Sequence, residues 1–253
     1  MALHTFETDT ARYYLGLGNH GESSAPLFAD VDISSLDFMV LERMGMVVPE
    51  QLFDDPQYSE ITRQLRAEAV PLYSVDYDTG EGTSDLLFLS TMAVGLGTMA
   101  VGISEIIAGE YGEGSALVGG GSLPASVLYH LSRGSALAEM PRRCHSLVLN
   151  SLWTSLMPIP LVGFRDAVAA KKIGEYLVPK HRHEDGSKVQ VGILYGLFHS
   201  GIETKLQSPW LADATLWLYH DLFGYGDTAE LNQIQELVPG KEQFTIHDCG
   251  LFK

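Results

Sequence analysis

The sequence predicts an α/β fold: a mostly parallel or mixed sheet flanked by helices, with an apolar, Gly-rich helical lobe inserted at about 86–163. Two observations carry this. Four short apolar runs, 12–17 (RYYLGL), 37–41 (DFMVL), 70–75 (VPLYSV) and 189–195 (VQVGILY), have strand length and are rich in β-branched and aromatic residues. A polar, titratable residue stands just past each run: His20, Glu42, Asp76 and His199. In open α/β sheets, ligands bind beyond the carboxyl ends of the strands. The intervening segments are long enough for the helical crossovers that parallel neighbours require.

The run 12–17 leads into the turn GNHGES (18–23), and 189–195 leads through Gly196 to His199, Ser200 and Gly201. These two strand–turn–His units, one near each end of the chain, read as two halves of one site. Between them, 57–69 has helical spacing, with Ile61 and Leu65 on one face. Residues 86–104 run for 19 positions without a charge. Two readings stand for this stretch, a buried helix and a membrane span. Its AVG repeat, at 93–95 and 100–102, puts Gly95 and Gly102 where another helix could approach closely. Residues 165–177 read as an amphipathic helix ending before Pro179. HRHEDGS (181–187) has turn chemistry, so its His-x-His reads as a solvated loop rather than a metal site. Residues 211–223 read as a helix with Trp217 in the core, and 243–247 as a last strand at a sheet edge.

At 253 residues the chain can bury a sizeable core, and a single domain over 1–253 is expected. The net charge of −16 repels polynucleotides and anionic lipid, so no nucleic-acid partner is expected; it also suits a salt-adapted protein. Cys144 and Cys249 are in no metal or redox spacing and read as free buried thiols in a reducing compartment. The first residues have neither a basic nor an apolar signal region, so a cytoplasmic location is expected, with membrane association through 86–104 as the other reading.

The candidate site residues are His20, Glu22, Glu42, Asp76, Arg142, Arg143 and His199. Two imidazoles and a carboxylate at strand ends could hold a divalent ion with an open position, the arrangement of a hydrolytic metal site. On that reading His20, Glu42 and His199 are the ligands, Asp76 and Arg143 complete the catalytic set, and Arg143 steadies a developing oxyanion. Without metal, the same groups could form a general base with an orienting carboxylate. The structural alternatives are a capping histidine, a surface pair of Glu42 with Arg43, and Asp76 capping the turn at Tyr77. To ligate or act as a base His199 must be neutral, which at its ordinary pKa means losing function on acidification through about pH 6–7.

In order along the chain these motifs resemble the TraB/PrgY and Tiki proteins, distantly related to the erythromycin-esterase-like and ChaN-like proteins. YGLFHSGI (195–202) is similar to the family's second Gly-x-x-His segment, and DFMVLER (37–43) resembles the strand bearing a family site Glu. VDYD (75–78) is similar to the Asp-bearing strand end, with Tyr77 where the family usually has Arg. PRRCHSLVLNS (141–151) resembles the Arg-led helix, but Cys144 follows Arg143 where the family usually has Asn or Asp. In LGLGNHG the glycines stand two and four residues before His20 rather than three. The resemblance implies a site shared by both ends of the chain. The Tiki branch implies a metal-dependent peptidase, acting on a peptide or small-molecule substrate. The ChaN-like branch implies haem or iron binding without catalysis, and the TraB branch a membrane-linked regulator of a peptide signal.

Overall fold

The computed structural model describes residues 2–18, 22–42, 56–77, 101–111, 160–196, 199–222, 226–238 and 244–253, together with 98, 113 and 115. A seven-stranded mixed sheet forms its centre, in the order β1-β2-β5-β3-β4-β6-β7. The strands are β1 (Ala2–Glu7), β2 (Ala11–Gly18), β3 (Phe38–Leu41), β4 (Leu72–Ser74), β5 (Val189–Gly196), β6 (Gln233–Leu237) and β7 (Thr245–Asp248). The four inner strands, β2, β5, β3 and β4, run parallel, and an antiparallel pairing closes each side. The four apolar runs of the sequence are these inner strands. β5 is buried at every position but Gln190, as a parallel strand covered on both faces should be. The strand expected at 243–247 is β7, and it does lie at an edge.

Helix α1 (Ser59–Ala67) covers one face. Ile61 and Leu65 pack there with Phe28, Leu36, Met39, Leu41, Leu72 and Leu194. Gly16 of β2 allows this close approach, since a Cβ there would stand 2.7 Å from the Phe28 ring. The other face is covered by one long helical segment. It comprises α2 (Pro160–Lys172), a π-helical turn at Ile173–Leu177 and α3 (Val178–Lys180). This differs from the helix expected over 165–177. Its first turn begins inside the stretch assigned to the inserted lobe, and it continues past Pro179. Val178 N–H reaches back to Ile173 C=O, the i→i+5 bond of a π turn, so Pro179 enters at the head of a renewed α-turn, where its missing N–H is tolerated.

After β5 come α4 (Gly201–Gln207) and α5 (Pro209–Leu216), continued by a π-helical stretch at Trp217–Leu222; a short α6 (Thr228–Leu231) precedes β6. Ile202 and Leu206 of α4 join Ala169 and Ala170 of α2 and Ile173 of the π-helical turn against Leu15, Leu17, Val191 and Ile193 of the sheet. Ala212 and Leu216 pack outside α2, on Phe164 and Val168. Trp217 is 58% exposed, which corrects its assignment to the core: at helical spacing it falls on the face opposite the buried Leu211, Ala212, Thr215 and Leu216.

Most of 86–163 lies outside the described residues, including Gly95. Gly102 is buried between the exposed Val101 and Ile103. Among the described residues no helix is long and apolar enough to cross a membrane.

Candidate functional site

The register of the parallel strands sets the site. Leu41 of β3 pairs with Leu194 of β5, and Gly18 of β2 pairs with Gly196, so three carboxyl ends finish side by side. Glu42 N–H donates to Leu194 C=O (2.8 Å), which extends the ladder one residue past β3. Side chains alternate along a strand, so Glu42 projects to the same face as Phe38 and Val40, the face that α2 covers. Asp76 lies two residues past β4. His199 follows β5 in a turn whose His199 N–H donates to Gly196 C=O (3.1 Å).

Two consecutive residues of α2 descend onto these strand ends. Arg165 Nε donates to Asp76 Oδ1 (2.9 Å), and its Nη2 donates to Glu42 Oε1 (2.8 Å) and to Asp76 Oδ2. Asp166 Oδ1 stands 2.6 Å from His199 Nδ1, while His199 Nε2 stands 3.0 Å from Glu42 Oε1. Glu42 Oε2 accepts the Gly196 N–H at 2.5 Å. The cluster is nearly closed to solvent: Glu42 is 5%, Arg165 7% and His199 3% exposed, and Asp166 is fully buried.

Burial disfavours every charge here, and mutual pairing overcomes it. Glu42 is held well below the usual carboxylate range by His199, Arg165 and the Gly196 N–H, against its own desolvation. Arg165 is pushed upward by Asp76 and Glu42 in spite of burial. For His199, burial would lower the pKa, but Glu42 and Asp166 outweigh it and raise it to about 9. The two carboxylates thus favour the imidazolium, which moves the window of pH 6–7 expected from its ordinary value upward.

Among the predicted site residues, the structure thus brings together Glu42, Asp76 and His199. Glu22 is exposed. His20, Arg142 and Arg143 lie outside the described residues, as does Cys144; Cys249 is half-buried rather than buried. His181 and His183 are half-buried and tied down rather than simply solvated, His181 Nε2 at 2.9 Å from the Tyr73 hydroxyl and His183 Nε2 at 2.9 Å from Asp37 Oδ2. Sequence reasoning missed Arg165 and Asp166. A signal was present: Arg165 and Lys172 stand seven residues apart on the apolar, inward face of α2, where a charge has to have a partner. Lys172 indeed donates to Val75 C=O (3.0 Å) and Gln233 C=O (2.7 Å), and burial lowers its pKa to about 8.

Glu42 and His199 offer two ligand atoms that a divalent ion could share. Two ligand atoms about 2 Å from one tetrahedral ion stand roughly 3.3 Å apart, close to their present separation. Asp166 on Nδ1 leaves Nε2 facing Glu42, and a carboxylate behind a histidine ligand is the usual orienting partner of a metal site. Among the described residues no group of three or more His, Cys, Asp or Glu side chains is arranged to hold a metal ion. No protein-family model matches the chain, and no curated protein or solved structure matches it either.

Proposed function

We propose that the chain is a TraB/Tiki-like hydrolase that adds water across an amide or ester carbonyl, with peptides as the first substrate class, and that it works with a divalent ion. The observation that carries this reading is the adjacency of His199 Nε2 and Glu42 Oε1 at the ends of neighbouring parallel strands, with Asp166 behind the imidazole. His199 and Glu42 hold the ion, and His199 gives up its proton to do so. Asp166 accepts the Nδ1–H and fixes the ring. Arg165 and the Gly196 N–H fix the Glu42 carboxylate and keep it ionised. The ion, when bound, supplies a Lewis acid and a more acidic water. The guanidinium in the described cluster is engaged with Asp76 and Glu42, so the oxyanion role expected of Arg143 does not fall to Arg165.

The opposed ionisation of the pair favours a second reading, without metal. Glu42, as carboxylate, takes a proton from the attacking water. His199, as imidazolium, gives one to the leaving nitrogen or oxygen, and transfer from Glu42 back to His199 restores the site.

The test measures bound metal by mass spectrometry and turnover of casein and p-nitrophenyl acetate, before and after chelation. The first reading expects a stoichiometric ion, turnover that chelation abolishes, and loss of both in His199→Ala and Glu42→Gln. Turnover that survives chelation selects the second. A protein with neither metal nor turnover ends both, and a Soret band in its place favours the haem-binding alternative.

A further inference from the structure

Tyr195 stands in this cluster without a part in the bonds described above. It is the penultimate residue of β5, fully buried, and its side chain projects to the α2 face between Leu17 of β2 and Glu42, which follows β3. Its ring packs edge-on against the His199 imidazole, with centroids 5.1 Å apart. Its hydroxyl oxygen is shut off from solvent and has no hydrogen-bond partner among the described residues. The donors around it are engaged with carboxylates: Arg165 Nε and Nη2, the Gly196 N–H and the His199 ring.

A buried phenol without a partner is costly, and a protein retains one where something else completes it. Replacing this tyrosine with phenylalanine would keep the ring and remove the penalty, so packing alone does not account for the hydroxyl. Its charged neighbours are Asp76, Glu42 and Asp166, together with the cationic Arg165. A phenol is an O–H donor at neutral pH, so what completes it is an acceptor oxygen.

We infer that Tyr195 is a substrate-contacting catalytic residue, whose hydroxyl donates a hydrogen bond to the carbonyl oxygen of the scissile amide or ester. This rests on the hydrolytic reading, in its metal-dependent or metal-free form. As water adds to the carbonyl carbon, the carbonyl electron pair moves onto that oxygen and the bond from Tyr195 strengthens. When the C–N or C–O bond breaks, the carbonyl re-forms and the phenol keeps its proton throughout. Donors of this kind act on the transition state more than on the bound substrate.

Tyr195→Phe is the decisive variant, because it deletes one oxygen and nothing else. The expected result on casein and p-nitrophenyl acetate is a fall in kcat of about 10²–10³-fold, the loss typical of an oxyanion donor. KM should stay within about twofold, with bound metal the same as wild type and the melting temperature unchanged or higher. A lowered melting temperature shows a hydroxyl with a structural partner and overturns the inference. So does wild-type kcat in a stably folded variant. If the wild-type protein itself turns over neither probe, the hydrolytic reading falls and takes this assignment with it. If wild type is active and Tyr195→Phe equally so, only the role of Tyr195 is lost.

Discussion

Arg165 and Asp166 are neighbours in the chain, yet they serve opposite sides of one network: Arg165 holds the carboxylates of Glu42 and Asp76, and Asp166 holds the imidazole of His199. One turn of α2 thereby sets both the base line of negative charge at the strand ends and the orientation of the ring above it. The two residues should fail in different ways when replaced.

Arg165→Met leaves the Asp76 carboxylate without its counter-charge and Glu42 with His199 alone. Breaking a buried pair from one side is expected to lower stability by about 3–5 kcal/mol, read from urea unfolding. Adding Asp76→Asn should recover part of that loss, since one orphaned charge is then gone. If the double variant is no more stable than the single one, Arg165 stabilises through packing rather than charge.

Asp166→Asn keeps the shape of the side chain but removes one of the two carboxylates that retain the proton on His199. The His199 pKa should drop from about 9, followed by NMR titration of the ring. Metal affinity or turnover should fall roughly 10–100-fold, as for other orienting partners of ligating histidines. An unmoved His199 titration would show that Glu42 alone sets it.

Stability of the chelated protein should fall as pH rises from about 6.5 to 9. The folded state holds the His199 proton up to about pH 9, against 6.5 in the unfolded chain. That contribution is complete below pH 6.5 and lost as pH rises to 9. Lys172 acts with the opposite sign. Its folded pKa near 8 lies below the ordinary 10.5, so its own contribution grows between those values, against Cys249 and the buried tyrosines, whose raised pKa acts the other way. Denaturant midpoints at half-unit pH steps read both contributions. His199→Ala should remove the first and Lys172→Met the second. On the acid side, stability should decline below about pH 4.5, as the unfolded chain takes up protons that the paired Glu42 refuses.

Gly16→Ala should destabilise by about 1–3 kcal/mol, because the new methyl meets the Phe28 ring, and a ring wedged in a core yields little. Phe28→Leu in the same chain should return part of the loss in thermal melts. A Gly16→Ala variant as stable as wild type would mean that Phe28 can turn aside at no cost.

The inner strands were legible because both their faces are buried, which leaves continuous apolar runs such as VGILY in β5. Of the outer strands, β7 was legible and β1 and β6 were not. In β1 (ALHTFE) the buried residues are His4 and Phe6, with exposed Thr5 and Glu7 between, and in β6 (QIQEL) Ile234 and Leu237 are the buried ones among polar neighbours. Such short mixed segments carry too little periodicity to be told from loops. Within the site, Glu42, Asp76 and His199 could be found because strand ends are marked by where the apolar runs stop. Arg165 and Asp166 lie inside a helix, where the one local signal is that Arg165 falls on the apolar face seven residues before Lys172.

β5 enters the sheet between β2 and β3 but is made some 150 residues after β3. On the ribosome, the nascent chain therefore emerges with a vacant slot in its sheet. Until residue 196 has cleared the exit tunnel, the facing edges of Ala11–Gly18 and Phe38–Leu41 have no partner and offer themselves to any passing strand. Chains stalled or cleaved in the intervening stretch should collect as aggregates rather than as smaller folded units. A separately supplied segment spanning 189–207 should be able to rescue them, by filling the slot in trans.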